Sequence, residues 1–204
     1  MVQFKLAQRI IVLLIGFISI SIGVSLFIIS NIGSDPFNVL MQGLSNIGGL
    51  SIGICTILIN LITACIIFFW DKQYLKIGSF LSVIFLGPMI DCSICILESL
   101  FFLDSTYFVK FISMMIGTFF ISLGISITNS AGIGMIPNAA LPVVFSSKKK
   151  LPFKWVRIGY DIVALILGIT LGGIFGVGTV FFALTTGPII AFFNPRIKSF
   201  LNNF

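Results

Sequence analysis

Few side chains in this sequence can do chemistry, and those that can stand in apolar surroundings. Asp161 follows Arg157 by four residues, so the two share a helix face and an ion pair is available to them. Asn60 sits at the middle of another apolar stretch, and Asp91 in a third, four residues after Gly87. Ionisable groups at membrane depth are costly and mark substrate or ion paths. Apolar surroundings favour a neutral carboxyl group over a carboxylate, which makes an intramembrane aspartate a proton-carrier candidate. The competing reading of Asp161 is a structural pair with Arg157, and the residues alone do not choose between the two. Asp91 lies nearer the end of its stretch and ranks as a secondary candidate, while Glu98 reads as an interfacial charge. With no histidine in the chain, a histidine pH switch and histidine metal ligands are excluded. No serine or cysteine has a recognisable base beside it, so no enzyme is expected.

The backbone offers a second kind of chemistry. Gly33-Ser34-Asp35-Pro36 interrupts a long apolar run, and Gly134-Met135-Ile136-Pro137 does the same later, followed by Asn138. A glycine with a proline three residues on cannot continue a helix. In a bilayer such backbone is tolerated only where protein buries it or a cavity adjoins it, and paired breaks in two halves point to a transporter binding site. Each proline then opens a short apolar segment, Asp35 to Gly49 and Ile136 to Ser147, too short to cross a bilayer. Both read as re-entrant half-helices whose N-termini offer backbone N–H groups to an anionic or carbonyl group. The candidate substrate path is therefore Gly33, Ser34, Asp35, Pro36, Asn60, Gly134, Pro137, Asn138, Arg157 and Asp161. Gly87-Pro88 and Gly187-Pro188 are secondary candidates: each kinks an apolar segment, and Thr179, Thr185 and Thr186 could satisfy the freed carbonyls. The alternative for all these breaks is that they are bends made for packing.

The elements that must position these residues follow from composition. Of 204 residues, 58% are hydrophobic and 9% charged, with a mean hydropathy of +1.19. Soluble domains carry about 25% charged residues, so this is a polytopic all-α membrane protein, a single domain over 1–204. The net charge of +6 sits in short loops and reads as topology and contact with anionic lipid, not nucleic-acid binding. Cys55, Cys65, Cys92 and Cys95 all fall in apolar segments. The Cys92–Cys95 spacing suits redox or zinc chemistry, but no second ligand pair exists and packing as small hydrophobes is favoured.

Six spans are expected, at about 9–30, 50–70, 77–97, 110–130, 152–172 and 176–193. Lys5 and Arg9, Lys72 and Lys76, Lys148 to Lys150 with Lys154 and Arg157, and Arg196 with Lys198 alternate with loops holding Asp35, Glu98 and Asp104, with Lys110 the one basic residue at an edge of these. Six spans with both termini cytoplasmic place every basic loop inside. Gly16, Gly23, Gly33, Pro36 and Asn60 recur at one constant offset as Gly117, Gly124, Gly134, Pro137 and Asp161. One residue less aligns Gly78 and Gly87-Pro88 with Gly178 and Gly187-Pro188. The Gly16/Gly23 and Gly117/Gly124 spacings permit close helix contact. Repeats of about 9–97 and 110–195 hold three spans each, so the second is inverted relative to the first.

At Gly33-Ser34-Asp35-Pro36, Leu50-Ser51-Ile52-Gly53, and Gly176-Val177-Gly178-Thr179 followed by Gly187-Pro188, the chain resembles the YczE/YyaS/YitT-like bacterial integral membrane proteins, in particular the YczE branch. The resemblance spans nearly the whole chain and implies a multi-span bacterial inner-membrane protein, with no catalytic residue or substrate to carry over. The function expected is transport of a small molecule along a path at the repeat interface near the midplane, coupled to protons through Asp161, with no cofactor and no metal. The alternative is a non-transporting accessory that meets a partner protein through Lys148-Lys149-Lys150. Lipid is the surrounding partner, and a homodimer is compatible with so thin a bundle.

Overall fold

The computed structural model describes residues 6–100 and 106–202, so Lys5 and Asp104 lie outside the described residues. Eight α-helices make up the described chain: α1 Leu6–Ser30, α2 Pro36–Gly48, α3 Ile52–Trp70, α4 Ile77–Leu100, α5 Tyr107–Ala131, α6 Pro137–Lys149, α7 Phe153–Thr170 and α8 Val177–Asn202. Five of them, α1, α3, α4, α5 and α8, are long and apolar enough to cross a membrane. The sixth expected span, α7, has 18 residues and carries Lys154, Arg157 and Asp161. At about 1.5 Å per residue it is about 27 Å long, a little short of the ~30 Å hydrocarbon core.

Local chemistry sets the helix ends. Asp35 stops the chain before Pro36 and caps α2, its side chain accepting from Asn38 N, and α2 ends at Gly49 in the left-handed region. Ser51 caps α3 by accepting from Ile54 N at 3.1 Å. The half-helices take the places expected of them, α6 running two residues further than the sequence suggests and passing through Pro142. The last span is the larger correction. It continues through Pro188 and Pro195 to Asn202, where the sequence reading stopped at 193. Pro195 frees the carbonyl of Ala191, and Arg196 Nη1 donates to the neighbouring Phe192 carbonyl at 2.7 Å. The threonines of α8 do something other than expected. Thr185 and Thr186 donate to the carbonyls of Phe181 and Phe182, one turn back, while Pro188 frees the carbonyl of Leu184; Thr179 Oγ1 faces Gly176 N.

Corresponding helices keep the constant offset read from the sequence, α1 with α5 and α2 with α6 at both ends. They also pack in corresponding pairs: α1 lies against α4 as α5 lies against α8, and the most extensive contact joins α1 to α5. That contact is made by the spaced glycines. A Cβ on Gly23 would stand 2.7 Å from the Gly117 carbonyl oxygen, and one on Gly16 3.1 Å from that of Gly124. The core gathers on α1, with Leu13, Phe17, Ile20, Val24 and Phe27 meeting Leu86, Met114, Ile121 and Phe182. Side chains of α7 and α8 face outward for the most part: only Ala164 and Gly168 of α7 are fully buried.

Candidate functional site

The two breaks are built alike and cross between halves. Gly33 and Gly134 have φ of +105° and +141°, values that glycine adopts freely and L side chains do not. Each lets the preceding carbonyl receive an amide from the last helix of the other half: Gly178 N donates to Ile32 O at 3.0 Å, and Gly78 N to Ile133 O at 2.9 Å. Ser79 Oγ adds a bond to Met135 O at 2.7 Å. The glycines are thus crossing points as well as breaks, and the packing reading holds for their immediate contacts.

The two breaks differ in what lies beside them. Gly33 is buried against Gly176 and Thr179, where a Cβ would stand 2.6 Å from Gly176 N. Ser34 beside it is fully buried with its hydroxyl unpartnered. Gly134 instead borders a cavity of about 440 Å³ lined also by Tyr74, Lys76, Asn129 and Gly132.

The half-helix N-termini are less open than the sequence suggests, because side chains already occupy their amides. At α6, Pro137 has no N–H, Asn138 N donates to Asn60 Oδ1 at 3.2 Å, and Ala139 and Ala140 turn back to Ile136 O. Asn60 is 1% exposed and its Nδ2 has no partner. At α2, Asp35 takes Asn38 through both its backbone amide and its side-chain amide. Arg157 and Asp161 stand close enough to Asp35 to act on it electrostatically. The expected ion pair is formed, Arg157 Nε to Asp161 Oδ2 at 2.8 Å, with Tyr160 beside the guanidinium. The other carboxylate oxygen, Asp161 Oδ1, is buried and unpartnered.

Asn60 and Asp161 are sequence mates with different partners, and their helices differ in the same way. On one side, α3 packs along α4, and Gly53 and Gly87 meet backbone to backbone: a Cβ on Gly87 would stand 2.5 Å from the Gly53 carbonyl oxygen. Asp91 closes this seam. Its Oδ2 accepts from Ser51 Oγ at 2.5 Å and its Oδ1 from Gly53 N at 2.7 Å. On the other side, α7 barely touches α8. Gly187 and Pro188 are exposed, and a Cβ on Gly187 would meet nothing within 4 Å. Instead α7 lies along α2 more extensively than α3 lies along α6, with Gly43 against Gly168 and Val39 against Gly173. Gln42 Oε1 accepts from Ile174 N at 3.1 Å and Asn46 Nδ2 donates to Gly172 O at 2.8 Å, tying α2 to the turn after α7.

Sequence reasoning missed a set of buried hydroxyls. Ser21, Ser25, Ser122 and Ser126 are all fully buried. Ser25 and Ser126 donate to carbonyls one turn back, the first also 3.5 Å from Ile90 O, whereas Ser21 Oγ has no partner. They recur at the same offset as the glycines, and that repetition was the available signal. The cysteines correct another expectation. Cys55 is buried, but Cys65, Cys92 and Cys95 are exposed on the bundle surface instead of packed inside it, and all four are free thiols.

Five helices of this length and hydropathy, in a fold whose described elements are all helical, define an all-helical membrane protein. The chain belongs to the family of unknown function DUF6198, whose profile matches residues 7–195. It is similar to the uncharacterized membrane protein YczE of Bacillus subtilis, with 30% identity over 188 residues, covering 92% of this chain and 86% of that protein. It is also similar to the uncharacterized protein YyaS of the same organism, 28% identical over 185 residues, 90% of this chain and 91% of the relative. An uncharacterized protein of Haemophilus influenzae is 28% identical over 188 residues, 91% and 83% of the two chains. The YczE and YyaS resemblance read from the glycine motifs is thereby borne out. No solved structure matches the chain.

Proposed function

We propose that this protein is a small inner-membrane transporter of six spans, with α7 as the sixth. Its two halves, each three spans and a half-helix, are inverted relative to one another. Basic loops face the cytoplasm in this arrangement, as do both termini. The observation that carries the reading is the unequal seating of α3 and α7. These helices correspond in sequence, yet one is closed against its neighbour α4 while the other has left α8 and lies on α2. In an inverted repeat, exchanging the two arrangements converts a state open to one face into a state open to the other. The cavity beside the second break, at the cytoplasmic end of the bundle in this topology, is consistent with an inward-facing form.

Substrate meets the path near Asn60 Nδ2 and Asp161 Oδ1, buried polar atoms from corresponding helices that protein groups leave unpaired. Such atoms are expensive to leave unmade and are natural ligand contacts. Asp161 is also the group through which the path couples to protons, and no catalytic step is involved. The test is a thermal-stability screen of the purified protein against small metabolites, amphiphilic drugs and anions at two pH values, since a ligand of the folded state raises apparent stability by mass action. The reading expects a hit that is lost in Asn60→Ala and Asp161→Asn. A hit unaffected by both variants removes the midplane site.

A further inference from the structure

We propose that Asp91 is the latch of a gate between α3 and α4, and that releasing it opens a path from the outer membrane face to Cys55. The transporter reading enters only in naming this face the outer one. Both carboxylate oxygens of Asp91 are held by the start of α3, one by the Ser51 hydroxyl and one by the Gly53 amide. A helix start has amides with no partner of its own, and here α4 supplies one in trans. Bonds to a charged acceptor are roughly twice as strong as neutral ones, so a single side chain dominates the seam. The rest of the seam includes a close helix crossing. Gly53 and Gly87 cross backbone to backbone, with Ile57 packed on Gly87. Cys55, one turn into α3 from Ser51, is 2% exposed and close enough to Asp91 for electrostatic interaction.

The second half lacks the device. The positions that correspond to Ser51, Gly53, Gly87 and Asp91 are Pro152, Lys154, Gly187 and Ala191. Proline has no N–H, alanine has no carboxylate, and a lysine stands where the amide-donating glycine should be. That seam stands open, with Gly187 uncovered. A latch on one seam and none on the other gives the protein a preferred resting state, closed outside and open inside, which the repeat by itself would not impose.

Cys55 is a built-in reporter of the seam. In a Cys65→Ser, Cys92→Ser, Cys95→Ser background, a membrane-impermeant maleimide is added to right-side-out vesicles and the alkylation rate of Cys55 is followed. Asp91→Ala is expected to raise the rate at least about tenfold, the effect of losing a charge-assisted hydrogen bond on an opening equilibrium. Ser51→Ala, which keeps the carboxylate and the Gly53 bond, is expected to raise it less and serves if Asp91→Ala does not fold. A cysteine placed in the core by Met114→Cys, in the same background with Cys55→Ser, is expected to stay protected whether or not Asp91→Ala is present. An unchanged Cys55 rate in the latch variants overturns the proposal. So does a parallel rise at position 114, which would mean general loosening, or labelling reached only from the cytoplasmic face. None of these outcomes depends on finding a substrate, so the latch and the transporter reading fail separately.

Discussion

α3 and α7 occupy the same place in the repeat and pack in different places in the protein. α3 is clasped to α4 through Ser51, Gly53 and Asp91, and its Asn60 reaches across to cap α6. α7 stands away from α8, rests on α2 through Gly168 and Gly43, and keeps Asp161 occupied with its own Arg157. The sequence explains which helix does which. Half one has a carboxylate to close its seam, and half two has Lys154 and Ala191 at the matching places. Half one also gives α2 the polar residues Gln42 and Asn46 that grip the turn after α7. Similar frames with different clasps settle into opposite arrangements.

The sharpest way to break the comparison is a matched pair of glycine substitutions. Gly87→Ala forces a Cβ to 2.5 Å from a carbonyl oxygen, and overpacking of this kind costs about 1–3 kcal/mol. Gly187→Ala meets open space and removes a helix glycine, so it is expected to be neutral or to stabilise by about 0.5–1 kcal/mol. Melting temperatures in one detergent check both. Equal losses at the two positions would mean that α7 and α8 are closed in solution. The next effect in size is at the polar mates. Asn60→Ala removes a helix cap and is expected to cost about 1 kcal/mol. Asp161→Asn keeps an oxygen for Arg157 Nε but loses the charge of a part-exposed pair, so it is expected to cost less than about 1 kcal/mol while abolishing flux driven by a pH gradient. Gradient-driven flux that survives in Asp161→Asn would remove the coupling role. The smallest effect is expected at the lysines that end α6. Lys148 pairs with Asp71 at 3.9 Å and is half exposed, so Lys148→Gln should cost less than about 1 kcal/mol and leave flux unchanged. A loss of flux there would favour the accessory reading.

Much of this frame was legible in the sequence. Hydropathy located the five helices long and apolar enough to cross a membrane, and the paired Gly-x-x-Pro breaks located the short helices α2 and α6, because a bilayer leaves backbone few alternatives to helix. The Arg157–Asp161 pair follows from helical spacing alone. What escaped depends on contacts between distant segments. Asp91 reads as one acid near the end of a span until α3 is placed against it. The helix N-termini read as open until Asn60 and Asp35 are seen to fill them. The end of α8 was misjudged because Pro195 looks like a stop, whereas the helix runs on past it to Asn202. Ser25, Ser122 and Ser126 escaped because hydroxyls that bond back to their own helix leave its spacing undisturbed.

The central claim is that the α3/α4 and α7/α8 seams exchange arrangements. The direct measurement is the distance distribution between spin labels at Lys154→Cys and Ala191→Cys, the counterparts of Gly53 and Asp91, in a background without other cysteines in lipid nanodiscs. The account predicts a wide population with Asp91 intact and a second, narrow population that grows in Asp91→Ala, as loosening the α3/α4 seam lets the α7/α8 seam close. A single separation that ignores Asp91 would contradict it.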